Sequence, residues 1–416
     1  MTVQPVISCS LSPDTEPDDI RTAIRILLQP WKWRYGKNLR KVSDWFKTYI
    51  PGSEVFTFNS GRTALFAILK AFSIGPDDEV LLQAFTCVAV PNSIIWVGAK
   101  PIYIDIDESL NIDPTDIERK ITVHTKAIIV QHTFGIPAQM DAIIRIARKH
   151  HLILIEDCAH GIGAMYKGQM VGTFGDAAFF SFGRDKAVSS VWGGAAVVHS
   201  KFKNPASPAG RQISKLKALH ENLSVPGYFW IFQQLLHPIT LFLIIRLYNV
   251  GIGKCILIAL QHLRLLSIPV YPEEKYGGRP KHILARYPNA LAYLLVNQLA
   301  KINRFTRSRT SIAHYYRRIL AGRKDIVHIP EVVGSSYLRY PILVKDKEFT
   351  YSKARRSGVL LGRWYQHVID PKEVRYTAIG YTEGSCPNAQ KKAAQILNLP
   401  TLIKISDARR VFSSLV

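Results

Sequence analysis

Between about residues 55 and 200 the chain alternates short apolar runs with stretches of helical spacing. The runs are EVLLQ (79–83), PIYID (101–105), KAIIV (126–130), LILIE (152–156), AAFFS (177–181) and GAAVV (194–198). Rich in β-branched or aromatic residues, most read as buried strands. Helices are predicted at about 61–73, 87–97, 113–121 and 139–150; the last carries Ala142, Ile143, Ile146 and Ala147 at helical spacing. Strands alternating with helices predict an α/β fold, a mostly parallel sheet covered on both faces, with ligands at the carboxyl ends of the strands. The rhythm breaks at 201–285. A basic, proline-containing stretch there precedes an apolar one (GYFWIFQQLLHPITLFLIIRLYNVGIGKCILIALQHLRLLSIPVY) and a basic loop. The expected organisation is a large domain over 1–200, an insertion over 201–285 and a smaller α/β domain over 286–416.

Composition adds one constraint. Fifty-four Lys and Arg against 31 Asp and Glu leave a formal net charge of +23. That excess favours anionic partners such as phosphorylated substrates or acidic lipid headgroups. The charge is diffuse and no helix-turn-helix or zinc-finger signature accompanies it, so nucleic acid is not expected as a partner. Cys9, Cys87, Cys158, Cys255 and Cys386 lack metal-like or CxxC spacing, which predicts neither a disulfide framework nor a metal site. The first residues, MTVQPVISCSLSPDTEPDD, do not resemble a secretory signal, and a cytoplasmic setting is expected.

The candidate chemistry lies in three segments. In IEDCAHGIGA (155–164) a strand delivers Asp157 to its carboxyl end, with His160 three residues on. A carboxylate there could cap a turn; it could equally hold the proton on a pyridinium ring. In VGTFGDAAFFSFGRDKAVSSVWGGAAVV (171–198) Ser181 ends a strand, Lys186 follows in a short loop, and Gly193-Gly194 open the next strand. A loop lysine is ordinarily a solvated charge. One strand after Asp157, and five residues after a hydroxyl, it fits a Schiff-base lysine instead. In FNSGRTALFAILKAF (58–72) Ser60 and Gly61 precede an apolar helix, so free amides would face an anion and Arg62 could add charge. An ordinary Ser60 N-cap is the plainer alternative.

Together with DEVLLQAFTCVAVPNSIIWVGAKPIYIDID and the C-terminal GYTEGSCPNAQKKAAQILNLPTL, these blocks resemble, in order, those of the DegT/StrS family of sugar aminotransferases. The resemblance implies the fold-type-I architecture, pyridoxal 5′-phosphate as cofactor, and commonly a homodimer. It also implies transfer of an amino group, commonly from glutamate, to a keto sugar, generally nucleotide-linked, in polysaccharide or secondary-metabolite biosynthesis. On it, Lys186 takes the Schiff-base role, Asp157 partners the ring nitrogen and His160 lies beside the ring oxygen. Ser181, with Ser60, Gly61 and Arg62, falls at the phosphate. A dehydrating branch of the family has His in place of the lysine, which Lys186 argues against. Arg62 replaces a usual hydroxyl residue, and Cys87, with Phe85 two residues earlier, stands where a stacking aromatic is expected. The family's Asn-containing segment is not evident at 276–290. RWYQHVIDP (363–371) makes His367 a substrate-side candidate, although an ordinary histidine fits as well.

Residues 228–271 match the family least. Gln233, Gln234, His237, Pro238, Arg246, Asn249 and Lys254 interrupt the apolar run, and the longest clean piece, ITLFLII, is too short to span a bilayer. Two expectations remain: helices packed on the sheet or on a dimer partner, or an interfacial surface over 226–271 that touches a membrane. Another pyridoxal-phosphate reaction (lyase or isomerase) and a non-catalytic sensor are the alternative functions.

Overall fold

The computed structural model describes residues 6–9, 14–199, 208–247 and 251–415. At its centre is a seven-stranded sheet. Across it lie Ser53–Phe58, Gly194–His199, Ala177–Ser181, Ile153–Asp157, Thr125–Gln131, Glu79–Gln83 and Lys100–Ile104. Only Gly194–His199 runs against the others. The predicted strands and the four predicted helices are all present within a few residues. Ser53–Phe58, half of whose residues are polar, was not among the runs read as strands.

Helix Gly61–Ala71 is apolar nearly all round, and Ala64, Leu65, Ala67, Ile68 and Leu69 are fully buried. Such a helix needs cover on both sides. It lies between the sheet and helix Pro208–Asn222, which contributes Leu216 to the same core. The first insertion helix thus closes the layer over the sheet.

The structure departs from the expected boundaries at two places. Strand Ile7–Ser8 pairs with Val359–Leu360, so the N-terminus belongs with the C-terminal unit. Helix Asn289–Leu299 packs with Pro17–Leu27 and Asn38–Tyr49, placing Leu291 and Leu295 in the core that holds Trp33, Val42 and Phe46. The smaller unit is built on a three-stranded antiparallel sheet, Ile326–His328, Arg339–Val344 and Ile396–Pro400. Its strand Ile369–Asp370 pairs with Thr86–Cys87, carrying part of the smaller unit to the edge of the large sheet.

The apolar stretch forms helices Tyr228–Arg246 and Ile252–His262. The first runs unbroken through Pro238, and by length and composition it could cross a membrane, contrary to the sequence expectation. Within the chain it packs on Pro17–Leu27 and Asn289–Leu299, with Ile231, Leu235 and Ile244 fully buried. The second rests on the first and leaves Ile252 and Ile258 exposed.

Candidate active site

Sheet register assembles the site. Phe58 lies opposite Gly194 and Gly194 opposite Ser181, while Asp157 lies opposite Gln131. One edge of the sheet therefore collects the Ser60 turn, Ser181 and Asp157, as expected where parallel strands end. Alternation along the strand separates two neighbouring carboxylates. Glu156 turns away and accepts the amides of Gly172, Phe174 and Gly175, each at 2.7 Å. Asp157 lines the cavity instead. One of its oxygens accepts the Ala159 amide at 2.9 Å; the other has no hydrogen bond among the described residues. Burial raises its pKa to about 6, with the Ala159 amide and Lys186 pulling the other way.

Lys186 stands across the cavity, its Nζ 3.0 Å from His160 Nε2. His160 Nδ1 accepts the Phe134 amide at 3.3 Å, so a neutral ring carries its hydrogen on Nε2, toward the lysine. Burial, then Lys186, holds the His160 pKa well below the usual histidine value. Phe134 and Tyr365 stack near the imidazole and fix its plane. The lysine loop is braced from the smaller unit: Arg339 donates to Asp185 at 2.9 Å and covers the Trp364 ring at 3.4 Å. Burial opposes ionisation of Asp185, but Lys186 and Arg339 outweigh it and hold its carboxyl below the usual range.

The turn before helix Gly61–Ala71 is equally local. Ser60 caps helix Gly61–Ala71 by accepting the Thr63 amide at 3.2 Å, which leaves the amides of Gly61 and Arg62 beyond reach of the helix's own carbonyls. Both glycines here are required by close approach. A Cβ on Gly61 would come within 2.9 Å of Ser181 Cβ, and one on Gly194 within 2.5 Å of the Gly61 amide nitrogen. Two open amides, a hydroxyl and a helix N-terminus suit a phosphate, and a carboxylate with a free oxygen suits a protonated ring nitrogen. The residues present fit a pyridoxal phosphate.

Three expected site residues are placed differently. The Arg62 guanidinium pairs with buried Glu274, donates to the Pro269 carbonyl at 2.6 Å and lies over Trp192. Its charge is thus spent within the protein, and only its amide remains for a phosphate. Phe85 is fully buried, edge-on to Tyr365, because a left-handed backbone (φ 68°) turns it inward; Cys87 reaches the cavity. His367 does not line the cavity, whereas Asp370, which accepts the His367 amide, does. Burial raises the Asp370 pKa to about 7.

The cavity holds about 690 Å³. Sequence reasoning missed Arg184, Trp192, His237 and Tyr365 in its wall. Arg184, Trp192 and Tyr365 lie inside quoted blocks but were not singled out, and His237 lies in the insertion. His237, Leu241, Leu257 and Gln261 come from the insertion, which is therefore part of the site. Away from it, His132, Glu156 and Cys158 bring potential metal-ligating atoms within 4.8 Å of one another, a cluster sequence spacing does not reveal. Both His132 nitrogens and both Glu156 oxygens there have protein partners.

A mostly parallel sheet that gathers a lysine, a buried carboxylate and a helix N-terminus at its carboxyl edge has the architecture of the fold-type-I transferases. The chain belongs to the DegT/DnrJ/EryC1/StrS aminotransferase family, whose sequence model matches residues 14–204 and 263–416. A protein of Geobacillus stearothermophilus described as a pleiotropic regulatory protein is 27% identical over 406 residues, 95% of this chain and 90% of its own. The GDP-perosamine synthase of Vibrio cholerae is 34% identical over 333 residues, 79% of this chain and 74% of its own. Several other curated relatives align over less than half of their length. Among solved structures, DesV of S. venezuelae in complex with a ketimine intermediate superposes with a TM-score of 0.75 at 23% identity, covering 99% of this chain and 98% of that one.

Proposed function

We propose that this enzyme moves an amino group from L-glutamate to the keto group of a sugar, in the first instance a nucleotide-linked one, in cell-surface polysaccharide or secondary-metabolite sugar biosynthesis. Nucleotide-linked keto sugars are the first acceptors to test. The observation that carries the reading is the Lys186–His160 contact at 3.0 Å, with the free oxygen of Asp157 in the same cavity. Asp157 would hold the ring nitrogen, Ser181 Oγ and the amides of Gly61 and Arg62 the phosphate, and His160 the ring oxygen. When bound, pyridoxal phosphate supplies an electron sink for the carbon that carries the amine. Lys186 Nζ would take the proton from that carbon and return it, and the His160 ring, 3.0 Å away, would orient the amine. Burial works against the Asp157 carboxylate, and a cation beside its free oxygen would add to the support the Ala159 amide already gives.

The test is in two halves. The holoenzyme with L-glutamate should yield 2-oxoglutarate and change the cofactor's visible absorbance. The product form should then aminate one of a panel of nucleotide-linked keto sugars. Absence of the first half with every amino donor would overturn the reading. It would favour a cofactor-binding regulator, which the description of the Geobacillus relative suggests, or a lyase or isomerase.

We further propose a cytoplasmic homodimer that touches the inner face of the membrane through 226–271. Exposed Ile252, Ile258 and Leu263, close in sequence to Arg246, Lys254 and Arg264, support that reading. Fractionation before and after a high-salt wash tests it. A protein wholly in the soluble fraction at low salt would count against membrane contact.

A further inference from the structure

The cavity continues past the lysine loop to a wall that the family's sequence model does not cover. Residues 205–262 fall outside the match, yet His237, Leu241, Leu257 and Gln261 line the same cavity as Lys186. Leu266 and Ser267 extend that wall. Two groups there each keep a polar atom without a partner. Arg184, two residues before Lys186, donates to the Ser267 carbonyl at 2.5 Å and to its hydroxyl. No carboxylate lies within ion-pair distance of its guanidinium among the described residues, and its Nε is buried without a hydrogen bond. His237 is 5% exposed, and its Nδ1 likewise has no partner. Ser267 Oγ donates to Gln234 at 2.6 Å, so the hydroxyl is held in place from the insertion helix.

A half-buried guanidinium whose Nε is desolvated gains from an anion, and a buried imidazole nitrogen without a hydrogen-bond partner is costly. Both belong to the cavity wall that also carries Leu241, Leu257, Leu266 and Gln261. Burial and Arg184 hold the His237 pKa well below the usual value, so the ring is neutral and can present an N–H without adding charge. The nearby tryptophans are less available to a flat base than they seem from sequence. One face of Trp192 is taken by Arg62 and one of Trp364 by Arg339. The wall beside Arg184 is aliphatic.

We propose that Arg184, His237 and Ser267, bordered by Leu241, Leu257 and Leu266, form an acceptor subsite for a phosphate joined to an aliphatic chain, so that the sugar is presented on a lipid-like carrier. The guanidinium and imidazole take the phosphate oxygens, the leucines take the first methylenes, and the keto group lies toward Lys186. This rests on the reading of the enzyme as a sugar aminotransferase and specifies what the sugar is attached to. A short dianionic donor such as glutamate would leave the leucines uncovered, which is why the acceptor is assigned here.

The experiment measures binding, so it succeeds or fails independently of turnover. The cofactor-loaded enzyme is titrated by calorimetry with dodecyl phosphate below its micelle concentration, methyl phosphate, UMP and L-glutamate. Because the cofactor already fills its own phosphate cradle, the titration reads a second site. Dodecyl phosphate is expected to bind at least tenfold more tightly than methyl phosphate or UMP, and Arg184→Gln to weaken it at least tenfold. Leu257→Asn, on the half-exposed third insertion helix, should remove most of the dodecyl-over-methyl preference while methyl phosphate binding persists. Equal affinity for dodecyl and methyl phosphate would overturn the proposal, as would tighter binding of UMP. If Arg184→Gln weakens glutamate more than dodecyl phosphate, Arg184 serves the donor carboxylate. If the variant instead loses cofactor on dialysis, Arg184 serves the cofactor's phosphate. Either result overturns the assignment.

Discussion

The two sides of the cavity are built on opposite principles. The sheet side carries the chemistry on strand ends whose spacing is set by backbone hydrogen bonds, so Ser181, Asp157 and the Ser60 turn are fixed by register. The insertion side is made of helices placed by side-chain packing and scattered single hydrogen bonds rather than by a ladder, and its contacts to the cofactor side include Arg184–Ser267 and Arg62–Glu274. The family's sequence model covers the first side and skips most of the second. Reaction type therefore resides in the rigid part, and what is recognised resides in the part free to vary. That division can be broken at several points.

The largest effect is expected at Lys186. Lys186→Ala removes the amine proposed to move the proton, and amino transfer from L-glutamate should fall by about 10⁴-fold or more. The cofactor should remain countable in the dialysed protein, because Ser181 and the Gly61 and Arg62 amides are untouched. Retained turnover would refute the division at its centre.

Asp157→Asn comes next, with a fall in turnover of about 10²-fold or more. It also has a signature in stability. Burial lifts the Asp157 pKa from 3.8 to about 6 in the cofactor-free protein. A raised carboxyl pKa means that the folded state holds a proton the unfolded state gives up, so stability falls as pH rises from about 4 to 6. A shift of roughly two units is worth about 3 kcal/mol. Cofactor-free Asp157→Asn should therefore unfold at higher urea than wild type at pH 8, and the two should converge near pH 4. With cofactor bound the order at pH 8 should reverse, since the carboxylate then has its cation. No pH dependence in the difference would remove the ring-nitrogen role.

How much of this was legible before the structure follows the same division. Lys186, Asp157 and Ser181 could be read because strand ends give a residue an address, and the chemistry expected at that address is narrow. Arg62 and Phe85 show where an address is not enough. Arg62 has the predicted backbone position, but its partner Glu274 is 212 residues away in sequence. Phe85 is turned inward by one left-handed residue, which no apolar periodicity encodes. The N-terminal strand was invisible because two residues carry no period, and its partner, Val359–Leu360, is just as short. In the insertion, reading Pro238 and the glutamines as breaks missed that a helix held on two neighbours tolerates them. His237 lay in the apolar insertion and Arg184 inside a quoted block, yet neither was singled out for the site, since their meaning arises only when the helix lands beside the loop.

The insertion itself divides in two, and a pair of substitutions sharpens where. Leu235 is fully buried in the core shared with Trp33 and Leu291, so Leu235→Ala should destabilise the protein by about 3 kcal/mol in urea unfolding, within the usual range for a core leucine. Ile258, on the next helix, is 54% exposed, and Ile258→Ser should change stability by no more than about 0.5 kcal/mol. Its effect should appear instead in association. If the third insertion helix meets lipid, co-sedimentation with anionic phospholipid vesicles should weaken by roughly fivefold, the equivalent of about 1 kcal/mol for an apolar side chain half removed from water. If it meets a second copy of the chain, the vesicle result should not move, and light scattering should report a shift toward monomer. A stability loss at Ile258 as large as that at Leu235 would mean that both helices belong to one folded core. The insertion would then be an extension of the scaffold, and the contrast between a fixed side and a variable side of the cavity would fail there first.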